Sequence, residues 1–528
     1  MKNIIKTHML MGMTFVAMLI SSCDNDSLDE ININPNDPEI VPTNTIFNSA
    51  TKEFMDFSRS PFNSGRLTLN WVEYWGQNSY ANEDRYLYRE TSSESIYTNS
   101  YRVATDLKSI IELNLDEETR ELAAAVGDND NQIAAARIML SYLFHQLTNT
   151  FGDVPYYSFG SDDEDFQALQ IDNVLSPVLA DQEKIYRDIL NELRQAADML
   201  DESKPVFTSG DNIYNGDASK WKKFANSLIL RVATYLMEVD PSTASSAIDT
   251  ALADGVFTSN DDNAVQQYET ADVNASPWWN AFIGRTDFAV TAPFIDFLKG
   301  NVGNFPMDPR LFEMAAPMEA SIESIQENSY ARSENPDDYL GLPYAYQNVN
   351  TLPFTTYSFA SSKVIRPDFG EVLMEYAEVA FLISEYQGFS QEAYEAGVRA
   401  SMEKWGVPQN LVDGYMANLP PASEDNVHTQ KYIALYMQSH QAWAEYRRTG
   451  FPDFLFLPNQ TYTLPSIQAG FAGESSYTFI AGVDIDDLPK RLRYPVSLQT
   501  LNSANRAAAV SKLSNGDTLD SPLFWDLD

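Results

Sequence analysis

The sequence predicts a mostly α protein: a tetratricopeptide-like scaffold of helix pairs joined to a long, irregular, loop-rich side. Three observations carry that prediction. Apolar residues recur at three- and four-residue spacing over several long stretches, which places them on one helix face. Gly, Pro or Asp-Pro ends these stretches abruptly. Between about residues 255 and 365 the periodicity gives way to a Pro-, Gly- and Asn-rich run, too long for an ordinary connection.

The chain opens on a targeting signal. Lys2 and Lys6 precede an apolar run from Met9 to Ile20, too short for a transmembrane helix and well sized for a signal-peptide core. The run ends in L-I-S-S-C, so residues 1–22 read as a lipoprotein signal peptide and Cys23 as the acylated first residue of the mature chain. Two or more acyl chains make such anchoring stable. Cys23 is the sole cysteine, which leaves no intramolecular disulfide and no thiolate metal cluster. Residues 23–44 are acidic and rich in Asn and Pro and read as an extended tether. Residues 45–528 are expected to form one helical domain.

With 44% hydrophobic and 12% aromatic residues among 528, the chain can bury a large core. Asp plus Glu outnumber Lys plus Arg by 75 to 35, a formal charge of −40, which repels nucleic acid and anionic lipid surfaces. A polyanionic ligand is disfavoured by such a body, whereas a neutral or a cationic one is compatible with it.

Along the chain, Trp71, Tyr74 and Trp75 stand at i, i+3 and i+4, the spacing of one helix face. Residues 131–151 place Ile133, Ala136, Leu140, Phe144, Leu147 and Phe151 on one stripe before G-D-V-P stops the helix. Gln182 to Leu200 and Ala218 to Val239 follow as further helices. Val372 to Tyr386 and Glu392 to Trp405 read as a hairpin joined by Q-G-F-S, and Thr429 to Arg448 as one long helix. The strict tetratricopeptide consensus is absent and the period is irregular. The 255–365 region carries P-W-W at 277–279 and G-L-P-Y-A-Y at 341–346, and loops of this kind on a rigid scaffold usually carry function.

No catalytic motif is present. The four histidines show neither H-x-x-x-H nor H-E-x-x-H spacing, which argues against a zinc hydrolase, and there is no G-x-S-x-G elbow, P-loop or dinucleotide fingerprint. The acid runs at 161–166 and 484–487 could bind calcium weakly, without EF-hand spacing. With 75 acids, a glycosidase carboxylate pair is a matter of geometry that counting does not decide. What remains is aromatic and amide chemistry, suited to the C–H faces and hydroxyls of sugars and also to peptides.

Ordered motifs across the chain resemble the SusD/RagB outer-membrane lipoproteins. They are N-P-N-D-P at 34–38, W-G-Q-N-S-Y-A-N-E-D-R-Y at 75–86, and the helix ending F-G-D-V-P at 151–155. Further on come W-K-K-F-A-N-S-L-I-L-R at 221–231, A-W-A-E-Y-R-R-T-G-F-P at 442–452 and L-P-K-R-L-R-Y-P at 488–495. One departure is Leu498, where the family usually carries Glu; the ion pair made there is in question.

The resemblance implies four tetratricopeptide-like helix pairs with the loops on the opposite, ligand-facing side. It implies a non-enzymatic surface lipoprotein that captures oligosaccharides, or peptides in some members, for a SusC-like TonB-dependent transporter. No cofactor and no metal are expected beyond a weak calcium site. A lipid-anchored glycoside hydrolase or peptidase is the competing class, and a pure docking role for the transporter is a third reading. Trp75, Gln77, Asn78, Tyr80, Trp278, Trp279 and Tyr344 are the candidate ligand contacts, whereas Trp221, Phe224, Arg231, Arg447, Arg448 and Arg491 to Arg493 are expected to serve structure.

Overall fold

The first helix starts where the tether's prolines end. α1 (Thr43–Ser58) buries Phe47, Ala50, Phe54 and Met55 along one stripe. This computed structural model describes residues 41–527, so the signal peptide, Cys23 and N-P-N-D-P lie outside the described residues. From Thr43 onward the chain forms one compact unit.

α2 (Glu90–Leu115) packs against α1, and α3 (Asn129–Phe151) against α2. α3 is buried on nearly every face, as befits a helix enclosed by neighbours. α4 (Gln182–Met199), α5 (Ala218–Thr234) and α6 (Pro241–Asp254) continue the array, each packed on its predecessor. Aspartates cap α3 to α6: Asp128, Asp181, Asp217 and Asp240 each accept an N–H of the first turn, an arrangement worth about 1 kcal/mol apiece.

α7 (Tyr376–Tyr386) and α8 (Gln391–Trp405) form the expected hairpin. Gly397 permits their close approach, because a Cβ there would stand 2.8 Å from the Phe381 ring. α9 (Glu424–Ala434) packs on both, and α10 (Ser439–Thr449) follows. Arg231 of α5 joins the two helix groups through a bidentate pair with Glu378 of α7, at 2.6 and 2.7 Å.

The strands described are short: β1 (Trp75–Gln77), β2 (Ala264–Gln266), β3 (Phe288–Val290), β4 (Glu371–Met374), β5 (Thr461–Thr463) and β6 (Ser476–Thr478). They pair antiparallel as β1 with β3, β2 with β4 and β5 with β6. Thus the loops are clamped to one another by two-stranded ladders instead of hanging free. The fold is mostly α with a tetratricopeptide-like scaffold, as the periodicity predicts.

Several boundaries differ from the sequence reading. Thr429 to Arg448 is not one helix: it breaks over 435–438, where Met437 takes φ 73°. Tertiary contacts account for the break. Tyr436 stacks on Phe294 at 5.1 Å, and the Ser439 hydroxyl bonds Ser64 and Thr68. The expected start of α7 at Val372 gives way to β4, which pairs with β2. α5 stops at Thr234, five residues short of the expected end, and the chain turns into the Asp240 cap of α6. Finally, Trp71, Tyr74 and Trp75 do not share a helix, because Leu69–Trp71 is a single turn and Glu73 takes φ 57° before β1 begins.

Candidate ligand-binding surface

The segment 69–86 forms a strap across the loop side, pinned by a buried carboxylate. Asp84 accepts from Asn70 Nδ2 at 2.6 Å and from the Gln77 N–H at 3.1 Å, which folds the strap back on itself. Burial pushes the Asp84 carboxyl up to about 7, against the lowering effect of those donors. Glu73 lies close by, its carboxyl raised well above the usual range by burial, and accepts the Phe456 N–H at 2.9 Å.

The strap's aromatic residues are core. Trp71 packs on Trp443 with centroids 5.3 Å apart, Tyr74 on Tyr432 at 4.6 Å, and Trp75 edge-on against Trp278 at 4.9 Å. Trp75 also donates Nε1–H to the Tyr436 hydroxyl at 2.8 Å. Trp75, Trp278 and Tyr344 are all 0% exposed, so as direct ligand contacts these three are corrected: each ring is enclosed by the protein itself. Tyr344 meets Phe479 edge-on, 5.8 Å away. Nor is P-W-W an open loop. Pro277–Ala281 is a helical turn capped by Ser276, which turns Trp278 inward and leaves Trp279 half-buried.

Gln77 and Asn78 are buried as well, with Gln77 Nε2 and Oε1 and Asn78 Nδ2 unpartnered within the protein. The Asn78 N–H donates to the Asp287 carbonyl at 3.0 Å, extending the β1–β3 ladder. Beyond it the chain reaches the surface at Tyr80, 52% exposed.

Tyr80 belongs to a patch that sequence reasoning does not assemble. A π-helix, Pro61–Thr68, presents Phe62 to solvent at 57% exposure, with the Arg66 guanidinium 4.6 Å from its ring centroid. Arg66 approaches Asp287 at 3.9 Å, and Arg285 pairs with the same carboxylate at 2.9 Å. Asp287, and more weakly the Tyr80 hydroxyl, hold the Arg285 guanidinium above its usual range. Exposed Ile283 lies on the same segment. The π-helix fits here because Gly65 meets the Phe288 ring of β3, where a Cβ would stand 2.8 Å from it. The patch therefore offers two aromatic faces flanking a chain of charged donors and acceptors. In the sequence, only the S-P-F start marks residue 60 onward as a capped turn; nothing local marks Phe62 or Arg285 as facing outward.

Two further acidic clusters are occupied by the protein's own cations. Glu385, His428 and Glu445 bring potential metal-ligating atoms within 4.8 Å of one another, a grouping the histidine spacing does not reveal. Arg448, however, bonds Glu385 at 2.6 Å and Glu445 at 2.8 Å, and Lys431 bonds Glu445 at 2.8 Å. Burial raises the Glu445 carboxyl, but Arg448 and Lys431 outweigh it and hold it well below the usual range. A cation would have to displace both. Burial lowers His428 to about 4, leaving it neutral. In the 161–166 acid run, Asp163 and Asp165 grip Lys184 at 2.6 and 2.7 Å.

The basic residues expected to serve structure do so. Arg447 binds the carbonyls of Asn149 and Lys490, Arg491 binds the Phe151 carbonyl and Asp517, and Arg493 pairs with Glu90. Leu498 is buried and offers no carboxylate, and Asp517 pairs with Arg491 at 2.7 Å.

A Bacteroidetes SusD-like structure superposes with a TM-score of 0.71 at 21% identity, covering 92% of this chain and 100% of that one. A SusD homolog from Bacteroides uniformis gives 0.69 at 21%, over 92% and 99%. A chitin-binding SusD homolog from Flavobacterium johnsoniae gives 0.68 at 21%, likewise over 92% and 99%. Identities this low speak for the fold alone. Membership rests on the sequence: residues 35–467 match the SusD-like model described as starch-binding and associating with the outer membrane, and residues 422–526 match the Susd and RagB outer membrane lipoprotein model. The chain belongs to the SusD-like family of outer-membrane lipoproteins. No curated relative matches it.

Proposed function

We propose that this protein is a cell-surface, lipid-anchored binder that captures an oligosaccharide and hands it to a SusC-like TonB-dependent transporter. The observation that carries the ligand class is the pairing of Phe62 and Tyr80, more than half exposed, about the Arg66–Asp287–Arg285 chain. Aromatic faces cover the C–H faces of sugar rings, while guanidinium and carboxylate groups fix hydroxyls. Trp279, half-buried beside this region, extends the aromatic surface. Asn78 ties the strap to the patch through its N–H on the Asp287 carbonyl. The family description names starch, and the Flavobacterium relative is described as chitin-binding, which makes α-glucans and chito-oligosaccharides the first ligands to try. On this reading the protein binds and does not hydrolyse.

Isothermal titration against maltodextrin, chito-oligosaccharide and peptide panels tests it. Saturable binding to a glycan that weakens in Tyr80→Ala is the expected result, and binding confined to peptides would reassign the ligand class. Anchoring has its own test: Cys23→Ala is expected to move the protein from the membrane to the soluble fraction, and unchanged fractionation would refute acylation at this residue.

A further inference from the structure

Where α1, α3, α5 and the α9–α10 break converge, the protein encloses a small cavity of about 20 Å³. That volume has room for a water or a monoatomic ion. Its lining is unlike the rest of this acidic molecule. Arg59, Arg231 and Arg447 face it together with His145, His440 and Gln438, and among the described residues no Asp or Glu lines it.

The balance of charge around the cavity is positive. Glu378 neutralises Arg231 bidentately. Arg447 is held by carbonyls, those of Trp443, Asn149 and Lys490, and burial lowers its guanidinium to about 10, with Asp526 acting from farther off. Arg59 donates to the Val372 carbonyl, and its nearest carboxylate, Glu371, stands 3.8 Å from Nε. Burial pushes Glu371 up to about 8, so its compensation of Arg59 is partial at neutral pH. Both histidines are neutral: burial and Arg231 lower His145 to about 3, and burial, Arg59 and Arg447 lower His440 well below its usual value.

Five buried donors on these residues find no partner within the protein, namely Arg59 Nε and Nη1, Arg447 Nη2, Gln438 Nε2 and His440 Nε2, against one unpartnered acceptor, Gln438 Oε1. His440 donates from Nε2 in the tautomer whose Nδ1 accepts from Thr68, 3.4 Å away. Buried donors left without partners carry an uncompensated desolvation cost, and a group that accepts from them relieves it. A water can give one proton to Gln438 Oε1 but must place its second among donors; a halide has none to place.

We propose that this cavity is a binding site for a single halide ion, chloride in ordinary media, which locks the α9–α10 break to α1, α3 and α5. The site is separate from the Phe62–Tyr80 patch and does not depend on the ligand read there. Crystals of the full chain grown in bromide provide the direct test, with an anomalous peak expected in the cavity. In solution, thermal unfolding at constant ionic strength is expected to show a saturable rise in Tm when chloride replaces gluconate. Gln438→Leu removes one donor and fills space without touching a guanidinium, and is expected to abolish that chloride-specific rise while the fold persists. No anomalous peak, together with equal Tm in chloride and gluconate, would assign the cavity to water and overturn the proposal. The wild-type crystal decides between ion and water even if the variant fails to fold.

Discussion

The buried part of the strap, residues 71–78, and the surface patch around Phe62 and Tyr80 are neighbours in the chain and in space, yet their aromatic rings do opposite work. In the strap, Trp75 is sealed edge-on against Trp278 and its N–H is satisfied by Tyr436. In the patch, Phe62 and Tyr80 keep more than half their surface in water; Arg66 lies over the Phe62 ring and Arg285 neighbours the Tyr80 hydroxyl. The difference shows how a rigid platform is built: the anchor is buried and only the next residues along the chain are left exposed. Such pre-organisation lowers the ordering cost of binding.

Breaking the buried side should cost the most. Arg231→Ala leaves Glu378 uncompensated in the core, and removing one partner of a buried pair costs about 3–5 kcal/mol. Trp75→Ala empties a fully enclosed site at a cost of about 3–5 kcal/mol, and Trp71→Ala is expected to match it. Urea unfolding midpoints measure all three. If Trp75→Ala left the midpoint unchanged while lowering glycan affinity, the division between strap and patch would collapse.

Asp84 sharpens the comparison through pH. Its folded carboxyl sits near 7 against an unbound reference of 3.8. Between those values the native state holds a proton that the unfolded chain has released, so stability falls as pH rises from about 4 to 7 and levels off above. Asp84→Asn should show a shallower fall in urea midpoint between pH 4 and 7; an unchanged slope would take the carboxylate out of the strap's energetics.

The patch should respond least in stability and most in binding. Tyr80→Ala and Phe62→Ala are expected to stay within about 0.5 kcal/mol of wild type in unfolding, while glycan affinity falls on the order of ten-fold, or ~1.4 kcal/mol. Loss of stability without loss of affinity would return these rings to a structural role.

Periodicity locates most of the scaffold because an amphipathic helix writes its buried face into the sequence. α3, α4 and α8 fall within a residue or two of where the apolar stripes put them. The candidate contacts are less legible. Trp75, Trp278 and Tyr344 read as ligand surface because aromatic density and loop composition say nothing about which side a ring faces. Phe62, Arg66, Arg285 and Asp287 escape a sequence reading because they come together only when β1 pairs with β3.

The class of the protein is thus written in one dimension: helix periodicity, ordered family motifs and an acidic composition are local properties, readable residue by residue. Three-dimensional packing alone fixes which aromatics are anchor and which are platform, where the 429–448 helix breaks, and how three arginines come to surround one cavity. Those outcomes depend on contacts between segments hundreds of residues apart, such as Ser64 with Ser439 and Trp75 with Tyr436. Local preference is overruled there because a buried ring or hydrogen bond outweighs a turn of helix propensity.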